Sequence, residues 1–176
     1  AWSLEAVNEN EWIGWMDLNR DTVSGWSSSN YSCGMVLAAD RADFNDSSTQ
    51  GYVVGFHHGG SYDEELVIFR FDAGITAAIN SYPGTATVLI NSGYFYDNFD
   101  NGVNFHVRLG TDGRWTIRYK AGAKLSTAMA TDPANYNDGS ATSASADTTY
   151  TGSSYRYAGW VYSHGNSSTE IGRAHV

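Results

Sequence analysis

Residues Val103 to Lys120 read VNFHVRLGTDGRWTIRYK, and their pattern decides the fold. On the first limb Phe105, Val107 and Leu109 alternate with His106 and Arg108, and on the second Trp115, Ile117 and Tyr119 alternate with Thr116 and Arg118. That period of two is what a half-buried strand requires, because successive side chains leave a strand on opposite sides. The loop length follows from the same pattern. A two-residue loop centred on Asp112-Gly113 sets Leu109 opposite Thr116 and splits the apolar rows, since directly opposed residues share a face. A three-residue loop of Thr111, Asp112 and Gly113, with Gly113 left-handed, pairs Leu109 with Trp115, Val107 with Ile117 and Phe105 with Tyr119. One face of the hairpin is then wholly apolar. The other carries His106, Arg108, Thr116 and Arg118, and is the first place to expect a binding surface.

Further strands follow on either side. Cys33 to Ala39 (CGMVLAA) is a continuous apolar run, short enough for a strand buried on both faces inside a sheet. Tyr52 to His57 and Leu66 to Phe71 are two more, joined by HGGSYDEE as a hairpin connection. In the first, Tyr52, Val54 and Phe56 share a face; in the second, apolar residues occupy both parities and the inward face stays open. Trp2 to Leu18 supplies one or two strands, Thr85 to Ile90 another, and Tyr155 to Ser163 and Thr169 to Val176 the last two. Ala73 to Tyr82 fits a weak helix or a strand. Arg20 to Tyr31, Asp40 to Gly51 and Asn91 to Gly102 read as loops, and the polar stretch Thr131 to Gly152 as a surface excursion. Strands at this spacing predict one antiparallel sandwich or barrel.

The chain has 176 residues, enough for about one domain with a real core. It holds 19 Gly, 12 Tyr, 7 Phe and 6 Trp against 2 Pro, a composition of short strands and turns. The net charge of -9 argues against nucleic acid and against an anionic membrane surface, both of which require Lys and Arg to neutralise phosphate. No run of about eighteen apolar residues is present, so no membrane insertion is expected. Cys33 is the lone cysteine, read as a small buried thiol. The chain opens on AWSLEAVNENEWIGW without a signal peptide and stops at IGRAHV, which we read as a piece of a longer protein.

The order of GYVVGF at Gly51, ELVIFRFDAG at Glu65, NFHVRLGTDGRWTIRYKAG at Asn104, ATDPANYNDG at Ala130 and SSYRYAGWVYSHGNSS at Ser153 resembles the laminin-G-like, or concanavalin A-like, jelly-roll domains of large secreted and cell-surface proteins of Bacteroidetes-type bacteria. The likeness covers most of the chain from about Gly51 onward. It implies an all-β, antiparallel two-sheet β-sandwich spanning residues 1–176 as a single jelly-roll domain, clipped at both ends. It also implies a secreted or cell-surface setting beside other domains of the same polypeptide, and a carbohydrate-binding or adhesive role of a lectin kind.

The residues point the same way. If Tyr52 to His57 joins the sheet of the central hairpin, His57 adds to His106, Arg108 and Arg118 on one polar face, with Tyr162 or Trp160 as a flat ring. Planar donors for hydroxyl or carboxylate oxygens beside an apolar ring are what a sugar needs. Arg108, Arg114, Arg118, Lys120 and Lys124 fall in one short stretch of an acidic chain, which points to an acidic polysaccharide or cell-surface glycan. Trp26, flanked by Gly25 and serines, is a further stacking candidate. A solvated sheet face, a structural spacer and a protein-binding sandwich are the competing readings.

Two enzymatic readings compete with this one. Related jelly rolls carry catalytic acids as E-x-D-x-x-E; here Glu9 and Glu11 are followed by Gly14 where the third acid belongs, so the partner a glycosidase needs is missing. A polysaccharide lyase would use His106, Arg108, Arg118 and Tyr162 to neutralise a uronate and move a proton, but the signatures expected on such strands are missing. No cofactor is required. Calcium would suit the oxygen ligands of Asp97 and Asp100, or of Asp40, Asp43 and Asp46, though Asx turns capping their own backbone explain both loops.

Overall fold

A computed structural model describes residues 10–16, 31–59, 63–75, 86–94, 102–126, 132–164 and 168–171. These form ten strands: β1 (Asn10–Met16), β2 (Tyr31–Ala39), β3 (Gly51–Gly59), β4 (Asp63–Phe71), β5 (Thr87–Tyr94), β6 (Val103–Leu109), β7 (Trp115–Ala121), β8 (Gly139–Thr142), β9 (Tyr157–His164) and β10 (Ser168–Ile171). They pair antiparallel into a four-stranded sheet of order β1-β6-β7-β8 and a six-stranded sheet of order β10-β9-β2-β3-β4-β5. The result is the expected two-sheet β-sandwich. Along the chain the sheets alternate, β1 in one, β2 to β5 in the other, then back for β6 to β8 and across again for β9 and β10.

The central hairpin, β6 and β7, has the predicted register: Leu109 faces Trp115, Val107 faces Ile117 and Phe105 faces Tyr119. Gly110 and Arg114 close the loop through an N–H···O bond of 2.9 Å, leaving Thr111, Asp112 and Gly113 between them. Gly113 has φ 74°, the left-handed conformation that a side chain would strain. The apolar row of the hairpin lies in the inter-sheet core with Trp12, Met16, Leu37, Tyr52, Val54, Leu66, Ile68 and Ile90. Gly14 belongs to the same inward row, opposite Phe105, and an added Cβ there would stand 2.1 Å from the Phe105 ring. Gly14→Ala therefore overpacks a buried aromatic. It is expected to cost about 1–3 kcal/mol, measured as a fall in the urea midpoint.

A second apolar layer explains the strands that lack alternation. Val36, Ala39, Val53, Val67, Phe69 and Phe71 form a separate buried cluster with Phe44, Ile75 and Val161. Strand β4 thus presents Leu66 and Ile68 to one layer and Val67 and Phe69 to the other, which is why its parity was undecidable from sequence. In β2 the pairing with β3 shifts between Val36 and Ala38. This bulge lets the consecutive residues Leu37 and Ala38 both join the inter-sheet core, while Val36 and Ala39 join the other cluster. The 40–50 segment, expected to be a polar loop, buries Phe44 and Thr49 completely, and Ile75 N–H donates to the Phe44 carbonyl at 2.9 Å.

Several boundaries differ from expectation. Asp63, Glu64 and Glu65 are strand residues opposite Gly59, His58 and His57, so the hairpin connection is shorter than HGGSYDEE. Strand β5 extends to Tyr94 into the segment expected as loop. The 131–152 stretch is more than a surface excursion: it contains a 3-10 turn, Pro133–Asn135, and the edge strand β8. Most of the ambiguous 73–82 segment lies outside the described residues.

Candidate binding face and polar hub

Register fixes which residues share the outer face of the four-stranded sheet. One row crosses all four strands as Ile13, His106, Arg118 and Ser140; the next as Glu11, Arg108, Thr116 and Thr142; a third holds Trp15, Asn104 and Lys120. Glu11, Ile13, Arg118, Ser140 and Thr142 are exposed, and Arg108, Thr116 and Lys120 half-buried. His106 and Arg118 therefore stand directly opposite each other on one face, as the hairpin pattern requires.

Both ends of this face are partly covered. Asn104 is buried because its amide donates to the carbonyls of Lys120 at 3.2 Å and Ala123 at 3.0 Å, while its Oδ1 accepts from Leu125 N–H at 2.8 Å. Trp15 Nε1 donates to the Gly122 carbonyl at 3.1 Å. Towards the other side, the segment after the 3-10 turn folds back over the sheet: Asp138 N–H donates to the Tyr119 carbonyl at 3.1 Å and its Oδ2 accepts from Ala121 N–H at 2.8 Å. This brings the Tyr136 ring within 5.7 Å of the His106 ring and leaves His106 only 5% exposed. Burial raises the Tyr136 phenol above its ordinary range, so it is neutral at pH 7. Among the described residues, His106 Nε2 has no hydrogen-bond partner; the nearest carboxylate oxygen, Glu11 Oε2, is 3.6 Å away.

The wider convergence expected from sequence does not form. His57 lies in β3, opposite Glu65 and Ser32, and Tyr162 lies in β9, opposite Cys33 and Glu170. Both strands belong to the six-stranded sheet, so neither joins the row of His106, Arg108 and Arg118. The reason is the return of the chain to the four-stranded sheet at β6, a long-range choice that local periodicity does not encode. Trp160 also belongs to β9; its ring meets Phe105 edge-on at 6.4 Å rather than the hairpin's polar face. Trp26, Asp97 and Asp100 lie outside the described residues. In the 40–50 loop, Asp43 and Asp46 accept from the backbone N–H groups of Asn45 and Ser48 at 3.0 and 2.8 Å, the Asx-turn use of a carboxylate, and Asp40 accepts from Gln50 N–H across the base of the loop at 2.9 Å. Among the described residues, no three His, Cys, Asp or Glu side chains group as a metal site.

Sequence reading missed a half-buried polar hub at Asp147. Its Oδ1 accepts from the Tyr52 hydroxyl at 2.7 Å and from Thr149 N–H at 3.1 Å; its Oδ2 accepts from Arg70 Nη1 at 2.6 Å. Its carbonyl accepts from Trp115 Nε1 at 2.9 Å and its N–H donates to the Gly113 carbonyl at 2.9 Å. One residue thus binds both sheets. Burial works against the Asp147 carboxylate, but hydrogen bonds from Tyr52 and Thr149 and the Arg70 charge outweigh it and hold its pKa below the usual range. Arg70 also faces Asp72 at 3.3 Å and lies over the Tyr150 ring at 5.6 Å. Burial and a short hydrogen bond to Asp72 push the Tyr150 phenol up to about 12. These polar groups answer one another, so the hub clasps the two sheets together. A lone polar loop residue gives no sequence signal for it.

No protein-family model, curated protein or solved structure matches the chain.

Proposed function

We propose that the chain is a non-catalytic, extracellular carbohydrate-binding module of the laminin-G-like kind, and that it takes an acidic polysaccharide on the outer face of its four-stranded sheet. The observation that carries this reading is the unbroken row Ile13, His106, Arg118 and Ser140, with Arg108 and Lys120 in the rows beside it. Guanidinium groups offer planar, paired donors to a carboxylate, the flanking hydroxyls of Ser140, Thr116 and Thr142 suit sugar hydroxyls, and exposed Ile13 suits a C–H face. Cations gathered on this face of a chain of net charge -9 favour an anionic ligand. Glu11 is the one carboxylate in these rows among the described residues. Gly14, where a third acid would be sought, packs inward against Phe105.

Affinity electrophoresis through gels containing polygalacturonate, alginate or neutral dextran tests this. Wild-type protein is expected to be retarded by the acidic polymers. Arg118→Ala should weaken that retention by roughly tenfold, the worth of a hydrogen bond to a charged group, without lowering the melting temperature, since Arg118 is exposed. His106→Ala should weaken it as well. Absence of retention on every glycan would leave a spacer or a protein-binding sandwich, and release of products from the polymers would make the protein an enzyme.

A further inference from the structure

We infer that Glu11 is a specificity-determining residue that competes with the ligand: its carboxylate occupies the position a ligand carboxylate takes beside His106. This inference rests on the polysaccharide-binding reading above and deepens it. The imidazole of His106 is almost wholly buried, yet its Nε2 lacks a hydrogen-bond partner among the described residues. A buried polar atom left in that state costs free energy, so something of complementary chemistry is expected to reach it. What stands nearest is Glu11 Oε2, at 3.6 Å, just beyond hydrogen-bond length. The Glu11 side chain is half exposed, on the edge strand β1, and so is free to turn towards solvent.

The surroundings of that carboxylate are built for an anion. Arg108 is directly opposite Glu11 on β6, Arg118 is directly opposite His106 on β7, and the Tyr136 ring closes the remaining side of the imidazole. A carboxylate that stands 3.6 Å from the imidazole, on the strand paired with that of Arg108, is a stand-in for an external one. When Glu11 turns outward, a ligand carboxylate settles between His106 Nε2 and the guanidinium groups, satisfying the buried nitrogen. Neutral sugars gain nothing from that exchange. Glu11 thus lowers affinity for acidic polymers and limits binding to those whose carboxylates outcompete it.

The test compares wild type, Glu11→Gln, and Asp112→Asn, which removes an equal charge at the hairpin turn away from the face. In polygalacturonate gels at low ionic strength, Glu11→Gln is expected to bind about three- to tenfold more tightly than wild type, as removal of one nearby like charge predicts. The gain should shrink as salt rises, should be absent for dextran, and should disappear when His106→Ala is added. Asp112→Asn should behave as wild type. Wild-type retention with equal or weaker retention of Glu11→Gln overturns the inference while the binding reading stands. An equal gain for Asp112→Asn, or a gain on dextran too, also overturns it. No retention of any variant on any polymer removes both.

Discussion

Asp147→Ala is expected to lower the unfolding free energy by about 2–4 kcal/mol, a large share of the margin available to a domain. The substitution strips the Arg70 guanidinium of its 2.6 Å partner and the fully buried Tyr52 hydroxyl of its 2.7 Å acceptor. The range sits below that for a wholly buried pair because the Arg70 side chain is 21% exposed. A pH signature accompanies it. The folded-state pKa of Asp147 is depressed, whereas an unfolded aspartate titrates at about 3.9, so on acidification the unfolded chain takes up the proton first. The stabilisation is therefore complete above about pH 5 and is lost as pH falls through the folded-state value. Urea melts at pH 7 and pH 3 check both points: wild type should lose more stability on acidification than Asp147→Asn. A wild-type midpoint for Asp147→Ala at pH 7 would show that the clasp holds nothing.

Trp115→Ala is expected to cost about 3–5 kcal/mol. The ring is fully buried, stacked on Trp12 at 5.7 Å and tilted against Tyr52 at 4.6 Å, and its Nε1 donates to the Asp147 carbonyl. Its backbone N–H is engaged as well, by Ser143 Oγ at 3.1 Å. Alanine keeps that backbone bond, so the loss is shared between a cavity in the inter-sheet core and the indole's bond to the Asp147 carbonyl. Because Asp147 and Trp115 hold the same segment, the double variant should lose less than the sum of the two. Denaturation of the two single variants and the double reads this directly. Strict additivity would mean that ring and carboxylate act independently.

Much of the architecture is legible in the residues alone. The hairpin register followed from strict alternation and from the one loop length that keeps Phe105, Val107 and Leu109 opposite Tyr119, Ile117 and Trp115, with Gly113 supplying the turn. The placing of His106 opposite Arg118 followed with it, because neighbours across a tight turn have no other choice of partner. Runs without alternation were less informative: β2 and β4 are apolar on both parities because each separates two apolar layers, and periodicity has no way to rank one layer above the other.

By itself, then, the sequence determined an all-β chain and the polar and apolar faces of its central hairpin, since both are set by side-chain alternation over a few residues. Only the tertiary structure decided that His57 and Tyr162 belong to the opposite sheet, that Tyr136 covers His106, and that Asp147 joins Tyr52 and Arg70 across 95 and 77 residues of chain. The physical reason is the range of the interactions. A strand's faces are written in its own residues, but which sheet it joins and which distant charge it answers depend on contacts that exist only after the two sheets have closed on one another.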